Sequence, residues 1–128
     1  QTKRHNGGVL NEQDFANYRA KMRKPIVTSY RGHTVIGMPP PSSGGVHVAQ
    51  ILNMLEQFPM RDLYREESAQ YIHHVAEAMK LAFADRAFYL GDPDFTRVPS
   101  GLIAKSYAQQ LANRIDANAS TPVESHGY

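Results

Sequence analysis

The start of one predicted helix concentrates the groups that could bind a negative charge. Three prolines, residues 39–41, precede the run Ser42-Ser43-Gly44-Gly45, and an apolar pattern of helical period follows. Proline fixes φ and lacks a backbone donor, so the chain before the serines is extended and cannot lie in a central strand. A serine can cap the helix, whose uncovered N–H groups and dipole favour an anion or an oxyanion. The alternative is structural: proline and glycine make a tight strand-to-helix turn against a packed neighbour.

A second group of candidates, His73, His74 and Glu77, has residue types that bind metals. A zinc site needs at least three ligands, and the His-Glu-x-x-His order is missing. We therefore predict no metal here and expect Glu77 to pair with His73 or Lys80 on a helix surface.

Two acidic motifs have simpler explanations than catalysis. Asp92 and Asp94 have the spacing of calcium ligands, but Pro93 and the absence of a downstream glutamate break the loop pattern, which favours a turn. For Asp85 and Arg86 we expect a partly buried ion pair or a cap contact. No G-x-S-x-G, P-loop, Ser/His/Asp, Cys/His or paired-carboxylate arrangement is found, so the residues themselves predict no catalytic group.

Composition limits the classes of function. The 128 residues fit one domain or part of a larger one, and the absence of cysteine excludes disulfides and Cys-based metal sites. No apolar run approaches the roughly 20 residues that a membrane span needs. Five basic residues cluster within residues 19–31, but no motif or aromatic interleaving supports nucleic-acid binding. We expect a solvated surface or an intramolecular contact, with a stand-alone binding module as the alternative. The five are Arg19, Lys21, Arg23, Lys24 and Arg31.

The elements that position these residues are mostly helical. We predict four helices: residues 11–21, the stretch from the end of the proline run to just before Pro59, residues 66–90 and residues 104–115. We also predict two strands, over residues 26–30 and 34–37. Residues 116–128 form a polar tail that we expect to be flexible. Asn11 is the predicted cap of the first helix, with Asp14 completing a capping box.

Hydrophobic periodicity predicts which helix faces are buried. The second predicted helix has an apolar stripe of Val48, Ile51, Leu52, Leu55 and Phe58, with His47, Gln50 and Asn53 opposite. The long helix has a main stripe and a second stripe, whose small residues permit close helix approach. The main stripe is Ile72, Val75, Ala76, Met79, Phe83 and Ala87, and the second is Tyr71, Ala78, Ala82 and Tyr89. Such a helical layer should pack on a sheet, and two short strands are too few to supply it. We therefore expect the chain to be incomplete.

Several separated motifs resemble the γ-glutamyltransferase (γ-glutamyltranspeptidase) family, in the family's order. They are Gly7-Gly8 with Asp14-Phe15 and Tyr18; Tyr30-Arg31-Gly32; the run from Pro39 to Gly45; Gln50-Ile51-Leu52-Asn53; Ala84-Asp85-Arg86; and the run from Tyr89 to Phe95. The resemblance covers residues 7–115. It implies an α/β (α+β) fold, namely part of an αββα N-terminal-nucleophile hydrolase sandwich in which this segment is mostly helical with two short strands.

The resemblance also implies a self-cleaving precursor. In the family, a threonine exposed at the N-terminus of the small subunit attacks the γ-glutamyl amide of glutathione or a relative, and its own α-amine acts as base. No cofactor is implied. Residues 1–128 resemble the C-terminal part of the large subunit, and Thr121, which precedes Pro122, does not match the nucleophile. We therefore assign no catalytic, substrate-binding or metal-binding residue to this chain and predict that it is inactive alone.

The implied partners are the rest of the large subunit, the small subunit and a γ-glutamyl donor, with no nucleic acid and no membrane span. The implied location of the parent is periplasmic or secreted. A related acylase of the same fold is a second alternative, because the residues that select the substrate lie elsewhere.

Overall fold

A computed structural model describes residues 8–124. Residues 1–7, which include Gly7 of the first family motif, and residues 125–128 of the predicted tail lie outside the described residues. No helix within residues 8–124 has the length and apolar content that crossing a bilayer requires. In chain order the elements are α1 (Glu12–Asn17), β1 (Ile26–Tyr30), β2 (His33–Gly37), α2 (Gly44–Leu55), α3 (Met60–Glu66), α4 (Ser68–Tyr89), a 3₁₀-helix (Ser100–Ile103) and α5 (Lys105–Ala112).

The capping box predicted for the first helix is confirmed. The Asn11 side chain accepts a hydrogen bond from the Asp14 amide (3.3 Å), and the Asp14 carboxylate accepts one from the Asn11 amide (2.8 Å). The helix is shorter than the predicted residues 11–21, because it ends at Asn17 and Tyr18 is extended. A six-residue helix with no buried residue has little besides its cap to stabilise it.

The predicted hairpin is confirmed, with a tighter turn than expected. Arg31 (φ 47°) and Gly32 (φ 84°) form a two-residue turn with both φ angles positive, the geometry that matches the twist of antiparallel strands. The second strand therefore begins at His33, which pairs with Tyr30, and not at residue 34. One face of the hairpin packs on α2. The other face exposes the cross-strand pair Val27 and Ile36.

The boundaries of the later helices differ from the predictions. The predicted helix over residues 66–90 is two helices, because Glu67 (φ −139°, ψ 66°) interrupts the chain between α3 and α4. The last helix begins at Lys105 and ends at Ala112, so it is shorter than residues 104–115.

The faces predicted for α2 are only partly right: Leu55 of the apolar stripe lies in the core, but two residues of the predicted polar stripe are buried as well. Gln50 and Asn53, expected on an exposed polar stripe, are fully buried, whereas Val48 is half exposed. Burial of the two amides is tolerated because both are hydrogen-bonded. Gln50 Nε2 donates to Asp85 (2.5 Å), and Asn53 Nδ2 donates to the carbonyl of Ile103 (2.9 Å).

The main apolar stripe predicted for the long helix is wrong. Ile72, Met79 and Phe83 are 65%, 41% and 49% exposed. The packed face carries Ala78 and Ala82 of the second predicted stripe, and their small side chains permit the expected close contact with α2. The core between α2, α4 and α5 includes Val46, Met54, Leu55, Leu81, Leu102, Tyr107 and Leu111.

Candidate functional site

The glycine-rich start of α2 is a close-packed joint. A Cβ atom placed on Gly45 would lie 2.1 Å from the carbonyl oxygen of Met38, and one on Gly37 would lie 2.7 Å from the Cα of Gly45. The chain therefore requires glycine at Gly37 and Gly45, where the end of β2 meets the helix. This geometry supports the structural interpretation of the Ser-Ser-Gly-Gly run, a tight strand-to-helix turn against a packed neighbour.

The two serines at this helix start have intramolecular partners. Ser43 occupies the N-cap position, but it is Ser42 Oγ that accepts a hydrogen bond from the Gly44 amide (3.3 Å). Ser43 Oγ accepts one from Arg86 Nε (3.0 Å). The Arg86 guanidinium therefore contacts the helix start that was considered as a candidate anion site. Its interaction with Ser43 links α4 to α2.

Next to this joint, His47 lies against α4. Its ring is in edge contact with Phe83, with the ring centroids 4.3 Å apart. Burial and the nearby Arg86 guanidinium lower the pKa of His47, because both disfavour the imidazolium. The surroundings of His47 thus favour the neutral imidazole over the imidazolium.

The three residues considered as metal ligands have separate partners. The ring of His73 contacts the carbonyl of Asp116 (Nε2 to O, 2.7 Å), and that of His74 contacts the carbonyl of Gln70 (Nδ1 to O, 2.8 Å). Glu77 binds Lys80, as expected. Within residues 8–124, no group of three or more His, Cys, Asp or Glu side chains has the arrangement that could hold a metal ion.

Glu77 differs from the prediction in its burial. It was expected on a helix surface, but it is 3% exposed, and Lys80 Nζ donates to both of its carboxylate oxygens (2.8 and 3.0 Å). Burial opposes ionisation of Glu77, but hydrogen bonds from Lys80, the Thr121 amide and the Ser120 hydroxyl together lower its pKa below the ordinary value. The carboxylate is therefore charged and holds three donors.

The Asp92–Asp94 motif is a turn, as predicted. Asp92 accepts hydrogen bonds from the amides of Asp94 (side chain, 3.0 Å) and Phe95 (main chain, 2.9 Å). The turn also contacts the basic cluster, because Asp94 pairs with Lys21 (2.7 Å) and Arg23 (2.9 Å). Hydrogen bonds from Lys21 and Arg23 lower the pKa of Asp94.

Another member of the basic cluster fixes the hairpin to α2. The Arg31 amide donates to Glu56 (2.6 Å), and its guanidinium donates to the carbonyl of Phe58 (2.7 Å). Lys105 Nζ bridges Glu56 and the carbonyl of Ser29, both at 2.5 Å. The hydrogen bonds from Lys105 and the Arg31 amide lower the pKa of Glu56.

A groove of about 950 Å³ lies between the segment after α1 and the proline run. Tyr18, Arg19 and Lys21 line one side of the groove, and Asp92 and Asp94 also line it. Its positive groups therefore face carboxylates of the same chain.

Sequence reasoning missed the buried polar cluster of the core. Asp85 is fully buried and accepts hydrogen bonds from Gln50 Nε2 (2.5 Å) and the Tyr107 hydroxyl (2.6 Å). We expected a partly buried ion pair or a cap contact for Asp85 and Arg86. Asp85 is fully buried in these contacts, and Arg86 contacts Ser43 at the N-cap position of α2. The signal was present: Ala78, Ala82 and Asp85 recur at i, i+4 and i+7 on one helix face.

Comparison with known proteins gives a consistent result. The gamma-glutamyltranspeptidase family model matches residues 1–128. The chain is 51% identical over 118 residues to a glutathione hydrolase proenzyme of Escherichia coli strain K12, and this covers 91% of the chain and 20% of that protein. It is 50% identical over 106 residues to the acylase ACY 1 proenzyme of Pseudomonas sp. strain SE83, covering 82% of the chain and 19% of that protein.

A solved structure shows the same fold. The crystal structure of Helicobacter pylori gamma-glutamyltranspeptidase superposes with a TM-score of 0.84 and 45% sequence identity, over 93% of this chain and 34% of the other. The expected fold class is therefore confirmed, with a mostly helical segment and one two-stranded sheet. The chain spans about one fifth of the length of the curated relatives it matches. On this evidence the chain belongs to the gamma-glutamyltranspeptidase family.

Proposed function

We propose that this chain is a structural segment, from the C-terminal part of the large subunit, of a self-processing γ-glutamyltransferase or glutathione hydrolase. The match of the family model to the whole chain is the observation that carries this proposal. The relatives are named proenzymes, which fits a precursor that is cleaved into subunits. In the parent, an N-terminal threonine outside this chain transfers the γ-glutamyl group to water or to an amino acid.

The exposed apolar surface of α4 supports a role as part of a larger protein. Ile72, Met79 and Phe83 lie on the exposed side, whereas the charged residues Glu77 and Asp85 lie on the packed side. Contiguous exposed apolar surface marks a site that is covered by another protein surface. We infer that the rest of the parent, which makes up most of its length, covers this face of α4.

A substitution on α4 tests this inference. Introducing a charge by Ile72→Glu, at a residue that is 65% exposed in this chain, should prevent the segment from packing in the full-length parent and should lower its soluble yield and Tm. Full burial of an isoleucine side chain contributes about 1.5–3 kcal/mol. Gln110→Glu, which adds the same charge at an exposed position on α5, is the matched control. Equal Tm values for both variants and the wild type would show that this face stays in solvent.

The activity is tested on the full-length parent with a chromogenic γ-glutamyl anilide. We expect turnover by the parent and none by the 128-residue chain alone, because none of the chain's residues is assigned to the reaction. Turnover by the chain alone, or failure of the purified parent to release any anilide, would contradict the proposal. The parent is expected in the periplasm or secreted, which cell fractionation tests.

A second candidate is a related acylase, which the 50% identity to the acylase ACY 1 proenzyme favours. Parallel assays with a γ-glutamyl anilide and with a cephalosporin that carries an acyl side chain separate the two substrate classes. The parent that we propose prefers the anilide, and faster release of the cephalosporin side chain would identify the acylase.

The third candidate, a binding module that uses residues 19–31, has less support. Lys21 and Arg23 pair with Asp94, and Arg31 binds the carbonyl of Phe58. Retention on an anionic polymer should therefore be weak and unchanged by Lys24→Ala. Strong, salt-dependent retention that this variant removes would favour the binding module.

A further inference from the structure

The polar segment that follows α5 is held against α4 by two charged side chains. Ser120 Oγ donates to Glu77 Oε1 (3.1 Å), and the Thr121 amide donates to Glu77 Oε2 (3.1 Å). Lys80 Nζ donates to Ser120 Oγ (2.8 Å) and to the carbonyl oxygen of Thr121 (2.7 Å). We call these four residues, Glu77, Lys80, Ser120 and Thr121, the tail clamp.

Additional contacts fix the path of the chain on either side of residue 120. His73, one helical turn before Glu77, contacts the carbonyl of Asp116 (2.7 Å). The Thr121 hydroxyl donates to the carbonyl of Arg114 (3.0 Å), just after α5. Residues 116–121 therefore run along α4 with attachments at both ends.

The burial of Glu77 distinguishes the tail clamp from an ordinary surface ion pair. An exposed pair contributes little and tolerates many geometries. A buried carboxylate needs a hydrogen-bond donor for each of its acceptor positions, because a position without a donor leaves a charge that has lost its water and gained no partner. The hydrogen bonds from Lys80 do not use all the acceptor positions of the Glu77 carboxylate. Ser120 and Thr121 donate the additional hydrogen bonds. The carboxylate therefore selects one position of residues 120–121 over others.

We propose that the tail clamp positions the chain beyond residue 121 for cleavage of the precursor, an inference that rests on the proposed self-processing function. The net reaction is hydrolysis of one peptide bond, in which water supplies the hydroxyl of the new carboxyl group and a proton of the new amine. Glu77 and Lys80 are positioning residues, since they hold residues 120–121 and do not enter a bond-making step. A misplaced scissile region slows such a reaction even when the reacting groups are intact.

The test follows precursor cleavage in the full-length parent by intact mass over time. Glu77→Gln and Lys80→Met should each slow cleavage about tenfold, because a small displacement of the scissile region from its reactive position lowers the rate strongly. The double variant should be no slower than the slower single variant, because the two residues act as one unit. Lys80→Arg, which keeps the charge, should restore most of the rate. Glu56→Gln, which removes the separate Glu56–Lys105 pair, is the control and should cleave at the wild-type rate.

A second readout separates positioning from general loss of structure. Once cleaved, each variant should turn over the γ-glutamyl anilide at the wild-type rate per molecule, because the tail clamp acts before cleavage. Equal losses in cleavage and in turnover would reveal a merely structural role and overturn the inference. If Glu77→Gln does not fold, the same two rates are measured for Ser120→Ala, because this variant leaves the Glu77–Lys80 pair intact.

The possible failures are distinguishable. We expect Ser120→Ala to cleave about threefold more slowly than the wild type, having lost one of several contacts. Wild-type rates in all tail-clamp variants would overturn this inference alone. A wild-type precursor that never cleaves would overturn the proposed function and, with it, the role of the tail clamp.

Discussion

Replacing Gly45 with alanine tests the joint between β2 and α2 most severely. The new Cβ would lie 2.1 Å from the Met38 carbonyl oxygen and 2.9 Å from two further backbone atoms, of Gly37 and Met38. Backbone atoms cannot move away by changing a rotamer, so the strand and the helix must separate. Overpacking of this kind costs about 1–3 kcal/mol and occasionally more, against a gain of up to about 1 kcal/mol from the higher helix propensity of alanine. Because the clash is with backbone, we expect a cost near the upper end of this range and a net loss of about 2 kcal/mol.

The neighbouring glycine is a matched control for this variant. A Cβ on Gly44 would have Ser42 Oγ as its nearest neighbour, at 3.6 Å, which is an ordinary contact. Thermal unfolding of the full-length parent should therefore show a lower Tm for Gly45→Ala. The decrease should be smaller than the roughly 4–8 °C that 2 kcal/mol gives in a unit of 150–250 residues, because the relatives are about five times as long as this chain. Gly44→Ala should leave the Tm unchanged or slightly higher. Equal Tm values for the two variants would refute the close-packing argument.

Three further predictions concern the buried polar cluster, the hairpin attachment and the exposed face of α4. Tyr107→Phe removes a donor to the buried Asp85 carboxylate and should reduce the free energy of unfolding by about 1.5–3 kcal/mol; an unchanged urea midpoint would contradict this. The pKa of Glu56 is lower in the folded protein than in the unfolded chain. The ion pair of Glu56 with Lys105 therefore stabilises the fold at pH values above the ordinary pKa of about 4.3. This stabilisation is lost as the pH falls through the folded-state pKa. Glu56→Gln should therefore lower the Tm at pH 7 by an amount that decreases as the pH falls below the ordinary pKa, and a Tm difference that does not change with pH would argue against the pair. The isolated 128-residue chain should self-associate through Ile72, Met79 and Phe83, and a monomeric chain with a sharply cooperative melt would argue against an incomplete fold.

Local chemistry made part of the fold predictable. The capping box of Asn11 and Asp14 involves residues three apart, and the Arg31-Gly32 turn is decided by the conformational freedom of two adjacent residues. The joint at Gly45 was also predicted as a structural turn. In each case the residues that determine the geometry are neighbours in sequence.

The buried faces could not be predicted, because they depend on partners far along the chain. Gln50 is buried through Asp85, and Asn53 through Thr28 and Ile103, at separations of 25–50 residues. Without these partners, an amide on a helix is expected in solvent. Periodicity predicted two stripes on α4 but named the exposed one as the main stripe, because the residues of α2 that pack on Ala78 and Ala82 lie far away in sequence.

Only part of the tail clamp could be predicted from the sequence. The i, i+3 spacing of Glu77 and Lys80 predicted their ion pair, which is confirmed. Ser120 and Thr121 lie more than 40 residues away, and no local pattern connects them to α4. The flexibility expected of residues 116–128 stays a prediction, although the structure attaches Asp116, Ser120 and Thr121 to α4.

The central claim, that this chain is a segment of a self-processing enzyme, is tested most directly by the intact mass of the purified full-length parent during incubation. We predict that one mass is replaced by two whose sum equals the precursor plus one water, with threonine at the N-terminus of the smaller fragment. A mass that stays constant while the protein remains folded would contradict the account.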